Sequence, residues 1–534
     1  MKVWLSRIPD SIYVFFGFFV FFLLNLTSNF SGPHDSMAYL NSFVKAENLY
    51  PPPHLLFHIL TFKVFQILSI LFPSVSDYYL IEVSDMIWGC LALTVVYKIF
   101  LHRMNMSKRE SVLSTCVVAF SFGIWFYCTN IEVYMPPLFF LISILYVCLK
   151  STITGRDLRL LTFLYCLSIL FHQANLLVTP IIVWKIWDSR KSLPFSRSFI
   201  LFGFISALIV GGTYFIIGWV VEGRNNFNDF YSWLRGYTLQ SNYWFPLSFG
   251  TLTRAMIGWG HAIIGGHFAF RVAPLQSIIK NLFFYHNLDD EAFLVRNLHH
   301  GAALFLFGLT IVVFLIMLFL FGRIVLNAKM LYKTHRNLLI PLLLFLAIYS
   351  TFFFFWMPEN LEFWIPQTVV LWIILLGMSQ QLPKVRLFTE NYQFYGILGL
   401  LLLVINFWGS IKWMKDIEND SVYEKIKKVK QLASPKDVIL LQDPWLLDDF
   451  LEHFTQSLVL SVPDQPAKIL YTNEKVRSAL SIGGKIFMFT EGNSMHSINN
   501  IHYLDSLMGS AGIQVVNLDN QLTPVKVISS LSAN

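Results

Sequence analysis

The stretch GPHDSMAYLNSFVKAENLYPPPH, residues 32–54, decides how this chain is read. It is a polar loop that carries Asp35 just behind Gly32 and Pro33 and closes in the turn Tyr50-Pro51-Pro52-Pro53-His54. Apolar sequence flanks it on both sides, from Ile12 to Leu26 before and from His54 to Pro73 after. A carboxylate held in such a loop lies at a membrane surface, where it can face a wet cavity at modest cost.

The rest of the chain supports that setting. Of 534 residues, 55% are hydrophobic, 13% are charged and 52 are Phe, and the mean hydropathy is +0.57. This is a polytopic helical membrane protein rather than a soluble domain. The net charge of +7 does not point to nucleic acid, because Lys and Arg gather in short loops between apolar runs. Cys90, Cys116, Cys128, Cys148 and Cys166 all fall in or beside apolar segments, with neither a disulfide framework nor zinc spacing. The start, Met1 to Arg7 followed by an apolar run, lacks a small-residue cleavage site and reads as a retained first span.

Spans are expected near 9–28, 79–101, 111–128, 134–150, 198–220, 301–322, 339–356, 363–379 and 393–411. The stretch 160–187 breaks at Phe171-His172-Gln173-Ala174-Asn175 into two short helices that meet at a tip, giving roughly eleven crossings in all. His54 to Pro73 is long enough to span, but parity argues for an interfacial helix. Lying flat, it leaves every basic loop on the cytoplasmic side: Lys2 and Arg7; Lys98 to Arg109; Lys150, Arg156 and Arg159; Arg190, Lys191 and Arg197; Arg323 to Arg336; Lys384 and Arg386. The N-terminus is then cytoplasmic.

Three regions share the other side: loop 29–78, loop 221–300 and everything after about Trp413. The chain divides into a membrane module, 1–411, and an extracytoplasmic α/β domain, 412–534. In the latter, short β-rich runs at Asp437–Leu441, Leu458–Val462, Lys485–Thr490 and Ile513–Val516 alternate with helical stretches. No glycine-rich phosphate loop assigns it a nucleotide.

Acids and histidines collect at the loop tips on that side. Besides Asp35 there are Glu82, Asp85, Glu132 and Tyr134, His172, and Glu359 and Glu362 in Met357-Pro358-Glu359-Asn360-Leu361-Glu362-Phe363-Trp364. His54, His58 and Thr61 share one helix face at i, i+4, i+7 spacing. Loop 221–300 adds Arg224, Arg235, Arg254, Arg271, Lys280 and Arg296, interleaved with Tyr231, Trp233, Tyr237, Tyr243 and Trp244. Arginine forks suit phosphate oxygens, and aromatic faces suit sugar rings or the interface.

In order and topology this pattern resembles the GT-C superfamily of membrane glycosyltransferases that use polyprenyl-phosphate sugars. More narrowly it is similar to the protein O-mannosyltransferase-like branch, in which an acid in the first outer loop precedes a His-Pro-Pro-Gly-type turn. Here Asp35 and Tyr50-Pro51-Pro52-Pro53-His54 hold those places, with Tyr50 and Pro53 departing from the usual His and Gly. The resemblance covers about the first 410 residues. It implies that Asp35 acts as general base or orients the acceptor. It also implies that Glu132, Tyr134, His172, Glu362, His54 and His58 line the substrate pocket, and that Arg235 and Arg254 meet the donor phosphate. A divalent metal is the one cofactor left open. The partners implied are the bilayer, a polyprenyl-phosphate-linked sugar and an acceptor protein, lipid or glycan; the phenylalanine-rich composition suggests a bacterial inner membrane. A transporter or lipid flippase, and an assembly scaffold with a recruiting tail, stand as alternatives. Charges gathered at one face, without paired half-repeats, favour the enzyme.

Overall fold

The computed structural model describes residues 9–236, 243–282, 288–383, 391–441, 446–461, 466–489, 514–518 and 525–529. Lys2, Arg7, Tyr237, Lys384 and Arg386 lie outside the described residues. Contacts group the chain into two compact units, Met1–Thr27 with Ala46–Lys415, and Ser28–Lys45 with Asp416–Asn534. By its contacts, loop 28–45 groups with the tail, so the tail unit is built from two stretches of chain.

In the membrane unit, seven helices among the described residues are long and apolar enough to cross a bilayer: Pro52–Leu71, Asp77–His102, Phe195–Val221, His300–Leu326, Ala328–Phe355, Leu361–Met378 and Tyr392–Met414. Shorter apolar helices run over Asp10–Leu23 and Met135–Cys148. Gly155–Phe171 and Thr179–Asp188 flank the expected break at His172. Helix Asp77–His102 is central, packing on Asp10–Leu23, Leu55–Leu71, Lys108–Ala119, Phe122–Cys128 and Met135–Cys148. Gly89 permits that closeness, since a Cβ there would stand 2.2 Å from Cys128 Sγ. Phe195–Val221 and His300–Leu326 are only 17% buried over their most apolar stretches, whose mean hydropathies of 2.2 and 3.1 suit contact with lipid.

Helix starts follow local chemistry. Ser107 with Glu110 and Thr154 with Asp157 form reciprocal capping boxes on Lys108–Ala119 and Gly155–Phe171. One expected span is corrected. Residues 111–128 form not one rod but Lys108–Ala119 and Phe122–Cys128, bent by 78°. Side chains from elsewhere satisfy the backbone and hydroxyl exposed at the bend: Asn406 Nδ2 donates to Phe120 O at 2.7 Å and Trp372 Nε1 to Ser121 Oγ at 2.8 Å.

The tail unit contains a five-stranded sheet of Val438–Leu441 (β1), Leu458–Ser461 (β2), Ile486–Phe489 (β3), Gln514–Leu518 (β4) and Val525–Ser529 (β5), in the order β2-β1-β3-β5-β4. β1 pairs in parallel with β2 and β3, while β5 pairs antiparallel with β3 and β4. Helices Leu447–Thr455 and Pro466–Ser481 make the crossovers that parallel pairing requires. Every residue of β1 and β3 is buried, and Val438, Leu440, Ile486 and Met488 meet Val476 and Ala479 in one core. Four of the strands match the β-rich runs read from sequence; β5 was missed.

Candidate functional site

Three turns of the membrane unit build one cleft. Pro136 and Pro137 fill the first turn of Met135–Cys148, where missing N–H groups cost nothing, and so fix Tyr134 at its entrance. Helix Gly155–Phe171 ends at His172, whose backbone is extended (φ −157°, ψ 116°) before a 3₁₀ turn over Gln173–Val178. His172 Nδ1 accepts the Ala174 N–H at 3.2 Å. That bond assigns the neutral tautomer with its proton on Nε2. A second 3₁₀ turn, Leu361–Trp364, presents Glu362, whose Oε2 accepts from Tyr127 Oη at 3.2 Å and Oε1 from Asn360 Nδ2 at 2.9 Å.

The cleft is lined by Tyr134, His172, Asn175, Tyr349, Phe353 and Glu362 among others. Phe363 stacks on Phe353 at 4.8 Å and meets the Tyr134 ring edge-on at 6.0 Å. His54 lies edge-on to His172 at 4.7 Å, and His58 and Thr61 are buried further along the same helix face. Two buried polar atoms here, Tyr349 Oη and His54 Nδ1, have no partner among the described residues. Such atoms are costly to leave unsatisfied. Tyr349 escaped sequence reading because it sits in the aromatic run Tyr349 to Trp356, where one hydroxyl resembles core.

Glu132 is placed differently. It does not line the cleft: the carboxylate is buried, its Oε2 accepts the Val133 N–H at 3.1 Å, and its own N–H donates to Asp85 Oδ2 at 2.9 Å. Asp85 and Glu82 are likewise fully buried. Arg254 pairs with Glu359 at 3.1 Å and covers the Phe245 ring at 4.5 Å. Gly258, on the same helix Phe249–Ile263 as Arg254, brings the Glu359 turn close, since a Cβ there would fall 2.4 Å from Pro358 O. Arg235, in the last turn of Phe227–Arg235, reaches Tyr231 Oη at 3.1 Å. Among the described residues, no group of three or more His, Cys, Asp or Glu side chains is arranged to hold a metal ion.

Asp35 belongs to the tail unit. His34 adopts a left-handed φ of +67°, rare for a residue with a side chain, and turns the chain into helix Ser36–Lys45. Asp35 Oδ2 accepts from Tyr39 Oη at 3.3 Å. Although the residue is exposed at its edge, desolvation by the surrounding protein raises its carboxyl pKa above the usual value, against the opposing charge of His34 and the Tyr39 bond.

The same unit holds two further shifted acids. Burial, then the neighbouring Asp448, lifts Asp449 to about 6, and burial lifts Asp420 to about 6 despite bonds from Ser31, Tyr423 and Val422. A carboxyl with a raised native pKa binds its proton more tightly when folded. Its ionised form therefore costs stability above pH 6, and that cost is recovered as pH falls from 6 towards 4. Relative to Asp420→Asn, the wild-type tail should gain about 1 kcal/mol between pH 6 and pH 5, because Asp420 is already half protonated at pH 6. Hydrogen exchange of β1 and β3 in the full-length protein measures this. A gap that stays constant over the interval would mean that Asp420 titrates like an ordinary acid.

Comparison with known proteins gives two findings. Residues 52–193, the segment holding His54, His58, Glu132, Tyr134 and His172, match the family model described as the protein O-mannosyl-transferase TMEM260 N-terminal domain. The fold over 98% of the chain is similar to that of the crystal structure of ArnT from Cupriavidus metallidurans bound to undecaprenyl phosphate, with a TM-score of 0.54, 10% identity and 97% of that chain covered. The apo structure of the same ArnT aligns over 100% of this chain and 98% of its own, at a TM-score of 0.46 and 12% identity. No curated protein matches in sequence. The GT-C-like membrane fold with a small C-terminal sheet, and the resemblance to the O-mannosyltransferase-like branch, are thus borne out.

Proposed function

We propose that this protein is a membrane glycosyltransferase that moves a sugar from a polyprenyl-phosphate-linked donor to an acceptor hydroxyl on the extracytoplasmic side. The observation that carries the proposal is the cleft in which Tyr134, His172 and Glu362 converge over an aromatic floor. Carboxylate, imidazole and phenol edges can bind sugar hydroxyls while stacked rings cover the apolar ring face. The ArnT-like fold and the match to an O-mannosyl-transferase domain support it.

The chemistry is a single displacement with inversion. The acceptor oxygen bonds to the anomeric carbon, the bond from that carbon to the phosphate oxygen breaks, and the hydroxyl proton passes to the Asp35 carboxylate. The raised pKa of Asp35 suits a base that must take a proton as the bond forms. Arg235, with Arg254 already held by Glu359, supplies positive charge for the departing phosphate.

In nanodiscs, the purified protein should release polyprenyl phosphate from a defined polyprenyl-phosphate sugar only when an acceptor is present. Movement of the lipid between leaflets without release would support a flippase and end the glycosyltransferase reading. Localisation follows from charge: the basic loops stay cytoplasmic while residues 28–78 and the tail lie outside. Glu47→Cys and Lys428→Cys, both at exposed positions, should react with an impermeant thiol reagent in intact spheroplasts. Lys191→Cys, also exposed, should react only after lysis. The reverse pattern would overturn the topology.

A further inference from the structure

We infer that the tail positions Asp35, with Asp420 and Asn41 as the positioning residues; this rests on the reading of Asp35 as base. The loop that carries Asp35 is tied to the tail on both sides of it. Four residues upstream, the Ser31 N–H donates to Asp420 Oδ2 at 3.0 Å. Six residues downstream, Asn41 Nδ2 donates to both the Asp449 carbonyl, at 3.0 Å, and Asp449 Oδ1, at 3.2 Å. Lys45 adds an ion pair to Glu452 at the end of the helix.

These ties are not incidental surface bonds. Asp420 is 1% exposed, and its other oxygen accepts the N–H groups of Val422 and Tyr423, at 3.0 and 3.1 Å, to cap helix Ser421–Leu432. One carboxylate therefore fixes the first turn of the tail and the entry to the Asp35 loop together. Helix Ser36–Lys45 packs on helix Leu447–Thr455, and Met37, Leu40, Phe43, Phe450 and Leu451 are all buried. The short segment between the ties includes the left-handed His34, a conformation that persists only where the surroundings hold it. A base displaced by about an ångström loses most of its effect, so a loop clamped at both ends is what general-base chemistry requires of an acid outside a helix.

The test uses the full-length protein in nanodiscs, with transfer kinetics from a defined polyprenyl-phosphate sugar and hydrogen exchange over residues 28–45. Asp420→Asn retains Oδ1 and the helix cap, since Asn is also a good capping residue, but turns a donor towards the Ser31 N–H. Asn41→Ala removes the second tie without touching the cap. Each should raise exchange over 28–45 at least about tenfold, Asn41→Ala while leaving β1 and β3 unchanged, and each should lower kcat about tenfold with the KM for donor within about twofold. The decisive readout is non-additivity. Combined with Asp35→Asn, either change should cause no further loss, because positioning has nothing to act on once the base is gone. Losses that multiply would overturn the inference, as would normal kcat in Asn41→Ala despite faster loop exchange. If Asp420→Asn loosens the strands as well, Asn41→Ala alone decides. Near-normal transfer by Asp35→Asn would end the base assignment and this inference with it. An inactive Asp35→Asn beside normal Asp420→Asn and Asn41→Ala would end only the inference.

Discussion

Asp35→Asn is expected to lower transfer by about 10²-fold or more while donor binding and folding persist. The substitution keeps the shape of the side chain and its acceptor for the Tyr39 hydroxyl, removing only the capacity to take a proton. Asp35→Glu should recover little, since the longer side chain shifts the carboxylate by about an ångström from its place before helix Ser36–Lys45. Transfer from a defined polyprenyl-phosphate sugar, with donor binding followed in parallel, measures both. A transporter or scaffold would show no such separation between binding and turnover. Near-normal transfer by the Asn variant would remove Asp35 from the mechanism and leave Glu362, the carboxylate that does line the cleft, as the next candidate.

Glu362→Gln is expected to cost about 10- to 100-fold in kcat/KM, the range of a hydrogen bond to a charged group lost between protein and sugar. Gln can still accept from Asn360 Nδ2 and donate to Tyr127 Oη, the two groups that hold Glu362 now. The loss would thus report the missing charge and not a collapsed turn. Tyr127→Phe, which removes one of those supports, should cost no more than about tenfold. If both variants lose equally, Glu362 matters as a brace for the Leu361–Trp364 turn rather than as a ligand.

Much of the fold was legible because membrane helices are a local property. About twenty apolar residues announce a span whatever surrounds them, and the prolines at 136 and 137 and the break at His172 locate the tips from short-range chemistry. The strands of the tail were visible for a similar reason, being short β-branched or aliphatic runs between polar turns. The site was half legible. Tyr134, His172 and Glu362 were picked as polar residues at tips facing one side, and they do meet in one cleft. Glu132 satisfied the same criterion, yet its side chain turns inward beside Asp85. Arg254 satisfied the criterion for a phosphate ligand, yet Glu359 engages it.

By itself, then, the sequence determined that the chain is a helical membrane protein with a small α/β tail, where its turns fall and which polar residues stand at them. These follow from hydrophobic length, proline geometry and charge distribution, each read within one segment. Only the tertiary structure decided that the chain over 108–128 bends by 78°, that Tyr349 lines the cleft, and that the Asp35 loop is clamped through Ser31 and Asn41 onto Asp420 and Asp449 of a tail nearly 400 residues away. A hydrogen-bond partner is chosen by proximity in space, and nothing in the local pattern around Ser31 or Asn41 distinguishes a bond to a distant carboxylate from a bond to water.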